Sequence, residues 1–256
     1  MISEVKTDLS EGVLTVTLSR QAKKNALTNE MYAALADAIQ RADTDQDVRV
    51  LLIRAEGEMF TSGNDIGEFA AQSAGADSEE RHVTRFLAAL ASTSVPIVAA
   101  VQGKAVGVGT TMLLHCDYIL LADDAELMTP FVNLALVPEA ASSYLLPLRI
   151  GHTRAFEMFS LGEPVNASSA LAWGIANKVV PVAALQTEAK RLAAKIAAKP
   201  VGSLTAMKSL MRESERMLAQ MDLETDVFVK RLQSAEAREV FAAFAQKRQP
   251  DFSKIR

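Results

Sequence analysis

Two short and almost purely apolar runs, Val48 to Ile53 and Ile97 to Val101, restrict this chain more than any other feature. A strand that is apolar on both sides has to be covered on both faces, which is the situation of a parallel sheet lying between helices. The flanking segments agree. Thr28 is placed to cap a helix running to about Arg41, with Met31, Leu35 and Ile39 on one face. The second run is followed by a glycine-containing turn, a helix expected from Val108 to His115, and another strand from Asp117 to Leu121. Ahead of them, Leu14, Val16 and Leu18 alternate with Thr15 and Thr17, which predicts a strand with one polar face. Strands that alternate with helices predict an α/β domain with crossover connections.

After Val182 the pattern becomes wholly helical. Leu185, Ala189, Leu192 and Ile196 share a face, and Pro200 breaks the helix. Further helices are expected over Leu204 to Leu218 and Leu223 to Phe244. Residues 1–199 therefore read as the α/β core and 200–256 as a C-terminal helical region for oligomerisation or for covering a site. The stretch from Gly67 to Arg81, rich in Ala, Ser, Gly, Asp and Glu, reads as a mobile loop or frayed helix near a site.

Charge and cysteine content narrow the context. A net charge of −4 in 256 residues gives no basic footprint for nucleic acid or an anionic membrane. Cys116 is the one cysteine, which suits a reducing cytoplasm. Met1 to Ser10 does not read as a signal peptide, the apolar runs are too short to span a bilayer, and Ser253 to Arg256 is not a peroxisomal address.

Three segments carry candidate chemistry. Met59 to Ile66 is a polar turn after a buried strand, able to leave backbone N–H groups pointing at a ligand. Gln102 to Thr111 leads glycines from a strand into an apolar helix, where the backbone can approach a ligand and the first turn offers free donors. A dinucleotide fingerprint would need a glycine at Met112, and a phosphate loop would need one at Val98. In the third segment, Thr129 to Ser143, Glu139 follows Pro138 within an otherwise apolar stretch. Read alone, each segment also has a plainer account: a chain reversal, close helix–strand packing and a solvated charge in a first helical turn. No metal-ligand spacing surrounds His82 or His152, so no metal is expected. His115 and Cys116 fall in an apolar helix and read as core.

Taken in order, the motifs resemble the crotonase (enoyl-CoA hydratase/isomerase) superfamily over nearly the whole chain. They are Arg20 to Leu27, Ser62-Gly63-Asn64-Asp65, Gln102-Gly103 through Gly109, Cys116-Asp117, Pro138-Glu139, and Ala172 through Pro181. The resemblance implies a stacked ββα core, a homotrimer or dimer of trimers, and CoA entering as part of the substrate with no separate cofactor. It also implies that the backbone N–H groups of Asn64 and Val108 hold a thioester oxygen. Lys24, Ala26, Ser62, Gly63, Asp65, Ile66, Gly107, Thr111 and Phe131 are the further positions it implies at the substrate.

Where hydratases of this superfamily carry their two glutamates, this chain has Thr111 and Phe131. Glu139 matches instead the single glutamate of the Δ3,Δ2-enoyl-CoA isomerases, and its surroundings, Pro130-Phe131, Asn133-Leu134 and Ser142-Ser143, are similar to the peroxisomal isomerase branch. The implied activity is therefore a double-bond shift in an acyl-CoA thioester, serving fatty-acid β-oxidation, with Glu139 as base. The rivals are an enoyl-CoA hydratase and a catalytically silent relative that binds acyl-CoA or RNA.

Overall fold

The computed structural model describes residues 4–65, 67–68, 81–253 and 255. Its larger sheet has six strands in the order β1-β2-β3-β4-β6-β9. They are β1 (Val5–Ser10), β2 (Val13–Leu18), β3 (Val50–Ala55), β4 (Ile97–Val101), β6 (Tyr118–Ala122) and β9 (Lys178–Val180). β1 and β2 form an antiparallel hairpin, and every later pairing in this sheet is parallel. A smaller sheet holds β5 (Lys104–Val106), β7 (Glu126–Met128) and β8 (Val165–Asn166). Twice in succession the chain passes from a strand of the large sheet to one of the small sheet and then into a helix. β4 and β5 lead to α3 (Val108–Thr111), and β6 and β7 lead to α4 (Ser142–Ile150). This is the stacked ββα arrangement.

Both faces of the large sheet are covered, as the apolar runs require. Leu14, Val16, Leu18, Leu51, Ile53, Ala99 and Leu121 face the main core with α1 (Asn29–Thr44) and α2 (His82–Ser92). Val13, Val50, Leu52, Val98, Ala100 and Leu120 face the other way, onto α7 (Leu185–Ala197). Two further helices, α5 (His152–Leu161) and α6 (Ala167–Ala172), lie between these elements in sequence. Thr28 caps α1 as expected, its side chain accepting from the Met31 N–H.

Three expectations are corrected. β2 has no solvated polar face: Thr15 and Thr17 are buried with Val13 on the α7 side, where the Thr17 hydroxyl accepts from Arg54 Nε at 3.0 Å. The buried stripe of α7 is Leu185, Ala189, Ala193 and Ala197, and Leu192 and Ile196 are only partly covered. Small alanines at i, i+4 spacing give the helix its inward face, and the bulkier residues flank it. The tail contains three helices where two were expected: α8 (Val201–Met211), α9 (Ser214–Leu232) and α10 (Ala235–Ala245). The first break falls at Arg212 and Glu213 because the Arg212 guanidinium reaches back to the carbonyls of Leu90 (2.8 Å) and His115 (3.1 Å). The second falls at Ser234, which caps α10 through the Ala237 N–H.

Buried and part-buried polar contacts fasten this tail to the core. Lys208 donates to the Val95 carbonyl at 2.6 Å and to Asp117 at 2.8 Å, and Ser214 donates to the Ala91 carbonyl at 2.8 Å. Among the described residues no helix is long and apolar enough to cross a membrane.

Candidate active site

The turn from Thr61 to Asp65 is held from several directions. The Asn25 side chain donates to the carbonyls of Glu56 and Met59, and the Thr61 hydroxyl donates to the Asn25 carbonyl at 2.6 Å. Leu27 bridges the turn as a strand would, donating to the Gly63 carbonyl and accepting from the Asp65 N–H. Backbone groups alternate in direction along an extended segment, so the Asn64 N–H points away from Leu27. It bonds no group among the described residues. Gly63 has φ +88°, and a Cβ there would stand 2.9 Å from the Val106 carbonyl oxygen, so the close approach needs glycine.

Val108 supplies the matching donor. Gly107, at φ 57° and ψ −119°, turns the chain from β5 into α3 in a conformation that side chains rarely allow. The Val108 N–H, in the first turn of the helix, likewise bonds no group among the described residues.

Glu139 faces both donors across a cleft with two arms. One arm, about 250 Å³, is apolar and takes in Gly63, Asn64, Val108, Phe131, Leu136, Phe241 and Glu139 among its walls. The other, about 140 Å³, runs past Tyr32, Asp65, Leu87, Met221, Glu139 and Glu224. Asn64, Glu139 and Phe228 line both. Glu139 as a residue is half-buried, but its carboxyl Oε1 is buried with no hydrogen-bond partner among the described residues. Burial, reinforced by the nearby Glu224 carboxylate, raises its pKa to about 7. A carboxyl balanced near neutrality can both take and return a proton.

The other expected site residues fall into distinct places. Ser62, Gly63, Gly107 and Phe131 line the apolar arm with Asn64 and Val108. Thr111 is fully buried in α3 and lines neither arm. Ala26 is buried, with its carbonyl taken by Arg20. Lys24 is exposed at the rim of a separate recess with Asn25, Glu56 and Asp124. Ile66 lies outside the described residues. Asp65 is engaged in holding its own turn. Its Oδ1 accepts from the N–H groups of Gly67 and Glu68, and its Oδ2 pairs with Arg20 at 2.7 Å. His115 is core, as expected, yet it is also tied to the site, since its ring bonds the Ala140 carbonyl at 2.8 Å.

Two residues of the site were not singled out from the sequence. Tyr32, buried on α1, donates its hydroxyl to the Asn64 side-chain oxygen. Glu224 sits on the inward side of α9, bonded to the N–H groups of Ala141 and Ser143. Tyr32 follows Met31 on the apolar face of α1, and that position is the one signal that marked it as inward. Glu224 follows Met217 and Met221 along the inward stripe, so a charge at that spacing was the available clue. Among the described residues no group of three His, Cys, Asp or Glu side chains gathers as a metal site would require.

Comparison with known proteins agrees with the fold. Residues 8–255 match the family described as enoyl-CoA hydratase/isomerase. The 1,2-epoxyphenylacetyl-CoA isomerase of Escherichia coli K12 is 31% identical, with 99% of each chain covered. Enoyl-CoA delta isomerase 2 of Rattus norvegicus is 34% identical over 81% of this chain, which spans 54% of that protein. A crystal structure titled enoyl-CoA hydratase/isomerase, from Pseudoalteromonas atlantica T6c, superposes with a TM-score of 0.93 at 40% identity, covering 98% of this chain and all of that one. The chain belongs to the enoyl-CoA hydratase/isomerase family, within the crotonase superfamily. Enzymes of this family act on acyl-CoA thioesters, and relatives at 30–31% identity include hydratases as well as an isomerase.

Proposed function

We propose that this protein is a Δ3,Δ2-enoyl-CoA isomerase, moving a double bond in an acyl-CoA thioester through a dienolate. The observation that carries the reading is the position of Glu139, among the described residues the one carboxylate bordering both arms of the cleft and opposite the free N–H groups of Asn64 and Val108.

The chemistry follows from those groups. Glu139 removes a proton from C2 of a 3-enoyl thioester, and negative charge moves onto the thioester oxygen. The Asn64 and Val108 N–H groups hold that oxygen, and because they are fixed by the backbone they need no reorganisation as the charge develops. The same carboxyl, now protonated, returns the proton to C4, and the product is the conjugated 2-enoyl thioester. A pKa near 7 suits both halves of the shuttle.

Hydration is disfavoured by the residues at two further positions. Adding water requires one group to activate it and another to deliver a proton. The positions that the superfamily resemblance assigns to those carboxylates hold Thr111, buried with its hydroxyl 3.5 Å from the Val108 carbonyl, and Phe131, packed against Phe159. The test is a pair of assays on the purified protein, one with 3-enoyl-CoA and one with 2-enoyl-CoA, following the conjugated thioester. The reading expects isomerisation to exceed hydration by a wide margin in kcat/KM. Equal rates, or hydration alone, would replace it with the hydratase reading. Acyl-CoA binding without turnover of either would favour a silent relative.

A further inference from the structure

We propose that Glu224 is a positioning residue for Glu139: together with His115 it grips the peptide between Ala140 and Ala141 at both ends and thereby sets where the Glu139 carboxyl stands. The proposal rests on the reading of Glu139 as the base.

Immediately after Glu139 the chain turns through two left-handed alanines, Ala140 at φ 63° and Ala141 at φ 54°. Residues with a Cβ adopt this conformation at a cost, and consecutive ones persist only where their surroundings hold them. Here the two halves of one peptide group are held by different parts of the fold. The Ala140 carbonyl accepts from His115 Nε2 at 2.8 Å, from the core side. The Ala141 N–H donates to Glu224 Oε2 at 2.6 Å, from α9.

Each holder is itself fixed. Arg212 donates to His115 Nδ1 at 3.0 Å, which leaves the hydrogen on Nε2, where it meets the carbonyl. Burial, with Arg212 adjacent, keeps the ring neutral, its pKa lowered to about 3. Glu224 Oε1 accepts from the Ser143 N–H at 2.9 Å and from the Ser143 hydroxyl, and Gln220, one turn earlier on α9, donates to that hydroxyl at 2.9 Å. Burial pushes the Glu224 carboxyl above its usual range, and the three donors, which favour the charged form, offset part of that cost. With both oxygens engaged, Glu224 has little capacity to act on substrate directly. Its geometry is that of a brace.

The brace also acts through charge. Among the described residues, the titratable groups around the Glu139 carboxyl are Glu224 on α9 and Tyr32 on α1, with Asp65, Glu68 and Arg81 along the polar arm. Asp65 is paired with Arg20, Glu68 is exposed and accepts from the Asn29 N–H, and Glu224 is the acid whose charge opposes a second negative charge at Glu139.

The test compares wild type, Glu224→Gln, Ser143→Ala and Glu139→Gln in isomerisation of 3-enoyl-CoA across pH. Glutamine keeps the shape of Glu224 but removes its charge and turns one acceptor into a donor facing an N–H. The expected result is a roughly ten- to hundredfold fall in kcat with KM little changed, because a small displacement of the base is costly. The acid limb of the kcat profile should also move to lower pH. A variant with a lowered Tm but wild-type kcat and an unmoved limb would show Glu224 to be merely structural and overturn the proposal. Should Glu224→Gln prove too unstable to assay, Ser143→Ala decides: a several-fold fall in kcat supports the brace, and unchanged kcat and pH profile overturn it. Glu139→Gln separates the two readings. If it retains near-normal turnover, the assignment of Glu139 as base fails, whatever Glu224 does.

Discussion

The Tyr32 hydroxyl donates to the side-chain oxygen of Asn64, so the residue whose backbone N–H is free in the cleft is held at its side chain by α1. Tyr32 is buried against Phe86, with ring centroids 5.6 Å apart, and burial raises its pKa well above the usual tyrosine range. It is therefore a neutral donor at any pH the enzyme meets. Tyr32→Phe keeps the packing and removes one hydrogen bond, a loss of about 1 kcal/mol in stability. Because the oxyanion donor is backbone, kcat should fall only several-fold. Thermal melts and steady-state rates check both statements, and a loss as large as that of a missing base would contradict them.

The raised pKa of Glu139 has two consequences for pH. A base must be ionised to work, so kcat should rise with pH through about 7 and level off above it. Stability responds in the opposite sense. The folded value lies above the ordinary 4.5, so the cost of ionising this carboxyl in the cleft is absent below 4.5 and is felt as pH rises towards 7. Glu139→Gln never meets that cost. At about pH 8 the variant should be more stable than wild type by up to about 3 kcal/mol, and the gap should close by about pH 4. Denaturant titrations at the two pH values measure it, and a gap of the opposite sign would contradict the burial argument.

A third expectation concerns assembly. Leu148 on α4 and Met207 and Met211 on α8 line one recess, and Leu148 and Met211 are 67% and 80% exposed. Large apolar side chains gathered at one place on a surface mark an interface. We expect a trimer or a dimer of trimers by light scattering at micromolar concentration. A monodisperse monomer would contradict this. Charge substitution at Met211 should weaken the assembly and leave the fold intact.

Much of this was legible in the sequence, and what was not has identifiable causes. β3 and β4 announced themselves because both faces of each are apolar. Thr15 and Thr17 misled because a hydroxyl in a strand looks solvated until a helix, here α7 with Arg54 beneath it, covers it. The backbone donors at Asn64 and Val108 depend on turn geometry, which motif resemblance could indicate and hydrophobic pattern could not. The resemblance implied Asp65 at the substrate, and hydrophobic pattern could not foresee its bonds to Arg20, Gly67 and Glu68, which hold its own turn. Glu224 lies far along the chain from Ala141 and Ser143, and no local rule joins residues that meet only when α9 folds back across the cleft.

The central claim is that Glu139 alone handles the protons, and replacing it tests that most directly. Glu139→Gln is nearly isosteric, leaves Asn64 and Val108 untouched, and takes away only a group able to accept the C2 proton. The measurement is the rate of 3-enoyl-CoA isomerisation together with acyl-CoA binding by calorimetry, with Thr111→Ala as the matched control. The account predicts that kcat falls by about 10²–10⁴ while affinity stays nearly constant, and that Thr111→Ala costs little. Near-normal turnover in Glu139→Gln would contradict it and send the search for the base to another wall of the cleft.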